Sequence, residues 1–218
     1  MDRNNLLAHT QLFADSAPEE IGAMLGCLDA RERHFPKASY IHRMGDKIKT
    51  VGLVLEGSVR IESVDVWGNV SVMGATGSGG MFGEAYAAVP DEPLMIDVVA
   101  AEDCAILFLN LGKVLATCSH ACPHHQRASR NMTAIIARHS LALSRRIFHV
   151  APKTIRGKVL AYLSDVSERA SSREFDIPFD RQQLADYLGV DRSALSAELS
   201  RMQKAGLIET RRSHFVLK

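Results

Sequence analysis

No stretch of this 218-residue chain is apolar over the ~20 residues that a bilayer-spanning helix requires. The first residues, MDRNNLLAHTQLF, lack the basic-then-apolar pattern of a secretory leader. Both absences point to a cytoplasmic protein with no membrane partner. Cysteine is scarce: Cys27, Cys104, Cys118 and Cys122 are too few for a disulfide framework, and a cytoplasmic chain keeps such thiols reduced. Enzyme signatures are missing as well. There is no Gly-x-Ser-x-Gly elbow, no His-Glu-x-x-His helix, and no Gly-rich loop opening onto a helix with Lys. The glycines of 77–80 stand between β-like segments and read as a turn. The chain is therefore not expected to be an enzyme. Net charge is also nearly absent, at +1, but it is unevenly spread. Residues 1–150 carry 14 basic and 16 acidic side chains, and residues 151–218 carry 12 and 9. A polyanionic partner would meet the C-terminal third.

What is present is the balance of a folded protein, 46% hydrophobic and 23% charged. Residues 16–29 have helical periodicity, with Ser16 and Glu19 at capping-box positions and Ile21, Met24, Leu25 and Leu28 as the apolar stripe. From about 31 to 109 the period shortens. Apolar or alternating runs at 39–42, 51–55, 59–64, 70–73, 95–100 and 104–109 are punctuated by Gly and Asp or Asn, the pattern of an antiparallel roll. Residues 123–149 hold no Gly and no internal Pro, so they predict one long helix. Met132, Ile136, Leu143, Ile147 and Val150 form one apolar stripe, and Ala128, Ile135 and Ala142 a second. One stripe can pack on the roll while the other meets a symmetry mate, predicting a homodimer. Ala151-Pro152 ends the helix. The fold class is α+β, in three parts: a β-roll sensor domain over 1–120, a dimerisation helix over 121–150, and a winged helix-turn-helix over 151–218.

The last part carries the function. Asp180 and Gln183 form a capping box, and Leu184, Ala185 and Leu188 form a buried side. Gly189 makes the turn, Val190 plugs the angle, and Asp191 caps a second helix with Leu195, Leu199 and Met202 facing inward. This is a helix-turn-helix whose second helix leaves Arg192, Ser193 and Ser196 free for a major groove of double-stranded DNA. Segments 207–210 and 215–218 can pair as a hairpin with a basic tip, Arg211-Arg212-Ser213-His214, within reach of phosphates.

With the segment VGLVLEGSVRI at 51–61 and Phe82-Gly83-Glu84 after the Gly-rich turn, nearly the whole chain resembles the cyclic-AMP receptor protein / fumarate–nitrate reductase regulator family. The resemblance implies a homodimer that reads palindromic promoter sites, works with RNA polymerase, and switches with a small molecule, haem, an iron–sulfur cluster or redox change. Cyclic-nucleotide binders of that family hold the ribose with a Gly-Glu pair and the phosphate with a following Arg-Ser pair. Gly83 and Glu84 match, but the Arg-Ser positions fall on Leu94 and Met95, which offer a phosphate no charge. Cyclic AMP is therefore not the expected effector. Only Cys27 precedes the roll, which disfavours the iron–sulfur cluster of the oxygen-sensing members. Arg192 matches the family's guanine-reading Arg, and Ser196 a base-contacting Ser. The usual Glu is replaced by Ser193 and the following Arg by Ala197, so the half-site sequence is its own. The effector pocket is expected near Gly83, Glu84, Leu94 and Met95, against the long helix at His139, Leu143 and Ser144.

Two rivals remain. Cys118, His120, Cys122 and His124, with His125, are dense enough to suggest a metal-, haem- or redox-sensing regulator, although their spacing matches no recognised ligand pairs. A polar junction with small apolar thiols is the simpler reading. His139 reads as a hydrogen-bonded interface residue, and Trp67 as a hairpin-tip contact. A β-barrel small-molecule-binding protein without DNA activity is the other rival. The effector and any cofactor are left unidentified.

Overall fold

The computed structural model describes residues 3–89, 91–116 and 123–218 and divides into two compact units, Met1–Ala137 and Arg138–Lys218. The first unit opens with α1 (Arg3–Ala8) and α2 (Pro18–Cys27). The α2 stripe is as expected, with Ile21, Met24 and Leu25 buried, but the cap lies one residue later than Ser16 and Glu19 suggested. Pro18 occupies the first turn, where its missing N–H costs nothing, and Glu20 reaches back to accept from the Ala17 N–H at 3.1 Å.

Eight strands follow: β1 (Arg31–Phe35), β2 (Tyr40–His42), β3 (Thr50–Glu56), β4 (Ser58–Val64), β5 (Val70–Gly77), β6 (Met81–Phe82), β7 (Asp97–Ala100) and β8 (Cys104–Asn110), with α3 (Glu84–Ala88) between β6 and β7 and α4 (Leu111–Leu115) after β8. They form two antiparallel sheets, ordered β1-β8-β3-β6 and β2-β7-β4-β5. Phe35, Val54, Phe82, Ile106 and Phe108 of the first sheet meet Ile41, Val59 and Val98 of the second in one core. The first sheet's other face, through Val51, Leu53, Leu107 and Leu109, packs on a second core with α2, α4 and the next helix. Strands β3 and β8 are thus covered on both faces, which is why they read as continuous apolar runs rather than alternating ones. Strand β1 has no such signature. In β1 (RERHF) only Phe35 is buried, and the strand is held by its pairing with β8, Arg31 opposite Phe108. Arg33 lies over the Phe35 ring at 5.0 Å, so a charged residue covers apolar surface.

Helix α5 (Pro123–Val150) spans the unit boundary. Its apolar residues divide along its length and not into two lengthwise stripes. Ala128, Met132 and Ile135 are all buried together in the first unit's core, and Asn131 Nδ2 ties the helix to the Leu12 and Ala14 carbonyls at 3.0 and 3.2 Å. Further on, Leu141, Leu143, Ile147 and Phe148 are exposed, Phe148 by 73%.

The second unit continues with α6 (Ile155–Ala170), β9 (Glu174–Asp176), α7 (Arg181–Leu188), α8 (Arg192–Lys204), β10 (Ile208–Arg211) and β11 (His214–Leu217). Thr154 caps α6, its hydroxyl accepting from the Gly157 N–H at 3.0 Å. Val159, Leu163, Leu184, Leu188, Leu195, Leu199, Met202 and Phe215 form its core. The hairpin is widened by β9, which pairs with β11 to make a three-stranded sheet, Phe175 opposite Phe215.

Candidate nucleic-acid interface

The local chemistry read from the sequence is realised in α7 and α8. Asp180 accepts from the Gln183 N–H at 2.8 Å while Gln183 accepts from the Asp180 N–H at 2.9 Å, closing both ends of the capping box. Gly189 stands at φ 62°, a left-handed conformation that glycine adopts without a Cβ penalty. This sharp turn delivers Asp191, whose carboxylate accepts from the Ala194 N–H at 2.8 Å and starts α8. Leu195, Leu199 and Met202 face the core, so Arg192, Ser193, Ser196, Ala197 and Ser200 share the exposed side. Arg192 is the one long side chain among them.

The wing tip is tighter than the four basic and polar residues suggested. Arg211 and His214 are a strand pair, and the turn is Arg212-Ser213, with Arg212 at φ 55°. His214 does not extend the positive surface, because its ring nitrogens lie 3.2 and 3.3 Å from Asp176 and Glu174 on β9. Arg211 and Arg212 are exposed. Arg192 and Arg212 line one open cleft of about 580 Å³ with Phe179, Asp180, Gln182 and Gln183. The site is thus a concave surface with a cation at the helix start and another at the wing tip.

Two supporting groups were not singled out from the sequence. Glu198, 7% exposed, turns inward from α8 and accepts from Arg156 of α6 at 2.6 Å, with Arg201 at 2.5 Å on its other oxygen. The hydrogen bond from Arg156, above all, holds its carboxyl below the usual range. Its signal was present: it stands three residues after Leu195, on the buried side. Arg181 donates to Thr210 Oγ1 at 2.7 Å and lies over the Phe215 ring at 5.2 Å, fastening α7 to the hairpin.

In the first unit, Gly83 stands at φ 82° before α3, and Glu84 is the first residue of that helix. A Cβ on Gly83 would press on Ile48 at 3.0 Å, so this glycine has a purely structural reason to be there. Leu94 and Met95 face opposite ways. Leu94 is 2% exposed and pinned through its backbone to Asp46 and Gly45, whereas Met95 is 70% exposed. His139, Leu143 and Ser144 lie on the exposed stretch of α5 that belongs to the second unit. Of the metal candidates, Cys118, His120 and Cys122 lie outside the described residues. His124 Nδ1 is 3.2 Å from Glu20, and His125 Nε2 is 2.6 Å from the Lys113 carbonyl. Among the described residues no group of three metal-ligating side chains forms, and no helix is long and apolar enough to cross a membrane.

Comparison with known proteins agrees with this division. Residues 32–121 match the cyclic nucleotide-binding domain, and residues 157–218 match the Crp-like helix-turn-helix domain. The transcriptional activator protein FnrA of Stutzerimonas stutzeri is 25% identical over 190 residues, 82% of this chain and 73% of that protein. Electron transport regulator A of Shewanella oneidensis is 20% identical over 193 residues, 86% of this chain and 74% of that protein. The solved structure of the c-di-GMP responsive global regulator CLP of Xanthomonas campestris superposes with a TM-score of 0.56 at 21% identity, covering 92% of this chain and 99% of that one, a likeness of fold. The cyclic nucleotide-binding domain and the Crp-like helix-turn-helix domain, matched in that order, make this chain a member of the CRP/FNR family of transcription regulators, with an effector-binding domain ahead of its DNA-binding domain.

Proposed function

We propose that the protein is a homodimeric regulator of the cytoplasm that reads a palindromic promoter site and is switched by a small molecule other than cyclic AMP. Each α8 enters a major groove. Arg192 reads a base edge, for which guanine is the best partner, and Ser193 and Ser196 supply short hydroxyl contacts. Arg211 and Arg212 hold the phosphate backbone beside the groove. The observation that carries this reading is the placing of exposed Arg192 and exposed Arg212 on one cleft, with the small side chains Ser193, Ser196, Ala197 and Ser200 exposed beside Arg192 on α8.

Two reading heads fit successive major grooves only when they stand about 34 Å apart, which makes dimerisation part of the mechanism. The exposed Leu141, Leu143, Ile147 and Phe148 support a helix-to-helix seam, because pairing α5 with its copy removes them from water. The effector lodges near Gly83, Glu84, Leu94 and Met95 and favours one of two dimer states, with His139, Leu143 and Ser144 of α5 taking part in the switch. With a buried leucine and an outward methionine at the phosphate-binding positions, a cyclic nucleotide gains no counter-charge there. At the promoter the partner is RNA polymerase, and the role is non-enzymatic. His125 is already engaged with the Lys113 carbonyl, which weighs against its use as a metal or haem ligand. Selection from a random duplex library tests the reading. Inverted repeats with half-sites one helical turn apart are expected; recovery of single half-sites, or of no sequence, overturns it.

A further inference from the structure

His149 occupies the last turn of α5 and is 3% exposed, an uncommon setting for an ionisable ring that serves no core-filling purpose better than Leu would. Its Nε2 lies 3.4 Å from Asp165 of α6, and its Nδ1 lies 2.8 Å from the Tyr187 hydroxyl of α7. Asp165 is also held by Arg169 at 2.9 Å. Tyr162 of α6 meets the imidazole edge-on at 5.3 Å, and Phe179 and Tyr187 stack at 5.0 Å beyond it. One turn earlier, Arg146 donates to the Tyr187 carbonyl at 3.2 Å and lies over the same ring at 5.5 Å. The end of α5 is therefore joined by side chains to α6 and to the first helix of the helix-turn-helix.

The donors and acceptors fix the protonation state of this junction. A carboxylate only accepts, so Nε2 carries the proton toward Asp165. The neutral ring then has one lone pair left, on Nδ1, and Tyr187 must donate to it. A second proton on the ring would occupy Nδ1, so the Tyr187 hydroxyl would have to turn from donor to acceptor. The new cation would also stand against the positive charges of Arg169 of α6 and Arg145 of α5, with the Asp165 carboxylate opposing them.

We infer that His149 is a proton-sensitive latch that, when neutral, locks α7 and its partner α8 to the end of α5 and, when protonated, releases them. Burial pushes the His149 imidazole down from its ordinary value, only partly offset by Asp165, so the neutral, latched ring is the ground state at neutral pH. The sign follows by linkage. A depressed histidine contributes stability that is complete above its ordinary pKa and is lost as the pH falls through the folded value, so acid opens the latch. In a regulator whose affinity depends on where its reading heads point, opening weakens specific binding. His149 is a positioning residue in this scheme and touches no DNA.

The inference rests on the DNA-binding reading above, and the test separates the two. Affinity for the selected inverted repeat is measured from about pH 8 to about pH 5.5, the range in which histidine titrates. The wild type is expected to bind well at the upper end and to lose affinity several-fold toward the lower end. His149→Gln, which can still bond Tyr187 or Asp165 but cannot titrate there, is expected to bind near the wild-type level at high pH with a flatter profile. Tyr187→Phe should show a smaller pH effect than the wild type. An equal slope in His149→Gln and the wild type overturns the latch, because the pH dependence would then arise elsewhere. Loss of the far-ultraviolet circular dichroism signal at the acid end overturns it too. Nuclear magnetic resonance without DNA decides independently. Titration of the His149 ring must move the Tyr187 ring and α7 amide signals with the same midpoint, and silent α7 signals reject the proposal even if no duplex is bound at any pH.

Discussion

Arg192 and Arg212 share a cleft, and the proposed function assigns them to different parts of a duplex. Arg192→Ala is expected to cost on the order of 1–3 kcal/mol per half-site on the preferred sequence and to flatten the preference at one base pair. Neutralising Arg211 and Arg212 should weaken binding to every sequence alike and make its salt dependence shallower. Isotherms on selected and random duplexes at several salt concentrations measure both, and equal losses on the two duplexes for Arg192→Ala would make it a phosphate contact. Glu198 gives a prediction of stability. Its depressed carboxyl stabilises the second unit fully above the ordinary carboxylate range, and that stabilisation fades as the pH falls through its folded value. Glu198→Gln should therefore lower the melting temperature at neutral pH and narrow the gap to the wild type in acid. Asp180, Gln183, Gly189 and Asp191 were legible in the sequence because each acts on backbone within four residues of itself. Glu198, Arg181 and Arg146 were not, since their partners lie on other elements.

Helix α5 changes its surroundings along its length, and its substitutions should divide accordingly. Met132→Ala, in the packed half, is expected to destabilise the first unit by about 2–5 kcal/mol, the usual loss for truncating a core side chain. Leu143→Glu or Phe148→Glu, in the exposed half, should leave folding intact and yield a monomer in sedimentation equilibrium; a dimer unaffected by both would place the seam elsewhere. The residues of both stripes were visible as helical spacing, but spacing cannot say which residues a neighbour covers. Strand β1 shows the opposite failure. Its sequence alternates charges, its single buried anchor is Phe35, and the partner that makes it a strand is far along the chain. Strands β3 and β8 were found readily because burial on both faces writes itself as an unbroken apolar run.

At the scale of the whole molecule, the proposed reading separates this chain from a cyclic-nucleotide receptor by its effector. Any ligand that binds only the folded state raises the melting temperature with concentration. Cyclic AMP is expected to leave both melting and DNA affinity unchanged, and a saturable rise of several degrees would refute the reading of Leu94 and Met95. The pairing of β1 with β8 and of β2 with β7 also governs how the molecule is made. Those contacts close long loops, whereas the β10–β11 hairpin and the α7–α8 pair join near neighbours. Closing a long loop costs chain entropy before any contact compensates for it, so in refolding the α7, α8 and β10–β11 amides should gain protection from hydrogen exchange before those of β1. On the ribosome the order of appearance is reversed. Strand β1 emerges first and remains without its partner until β8 has been synthesised, so the roll must be shielded from misfolding during that interval, while the reading head folds almost as soon as it is made.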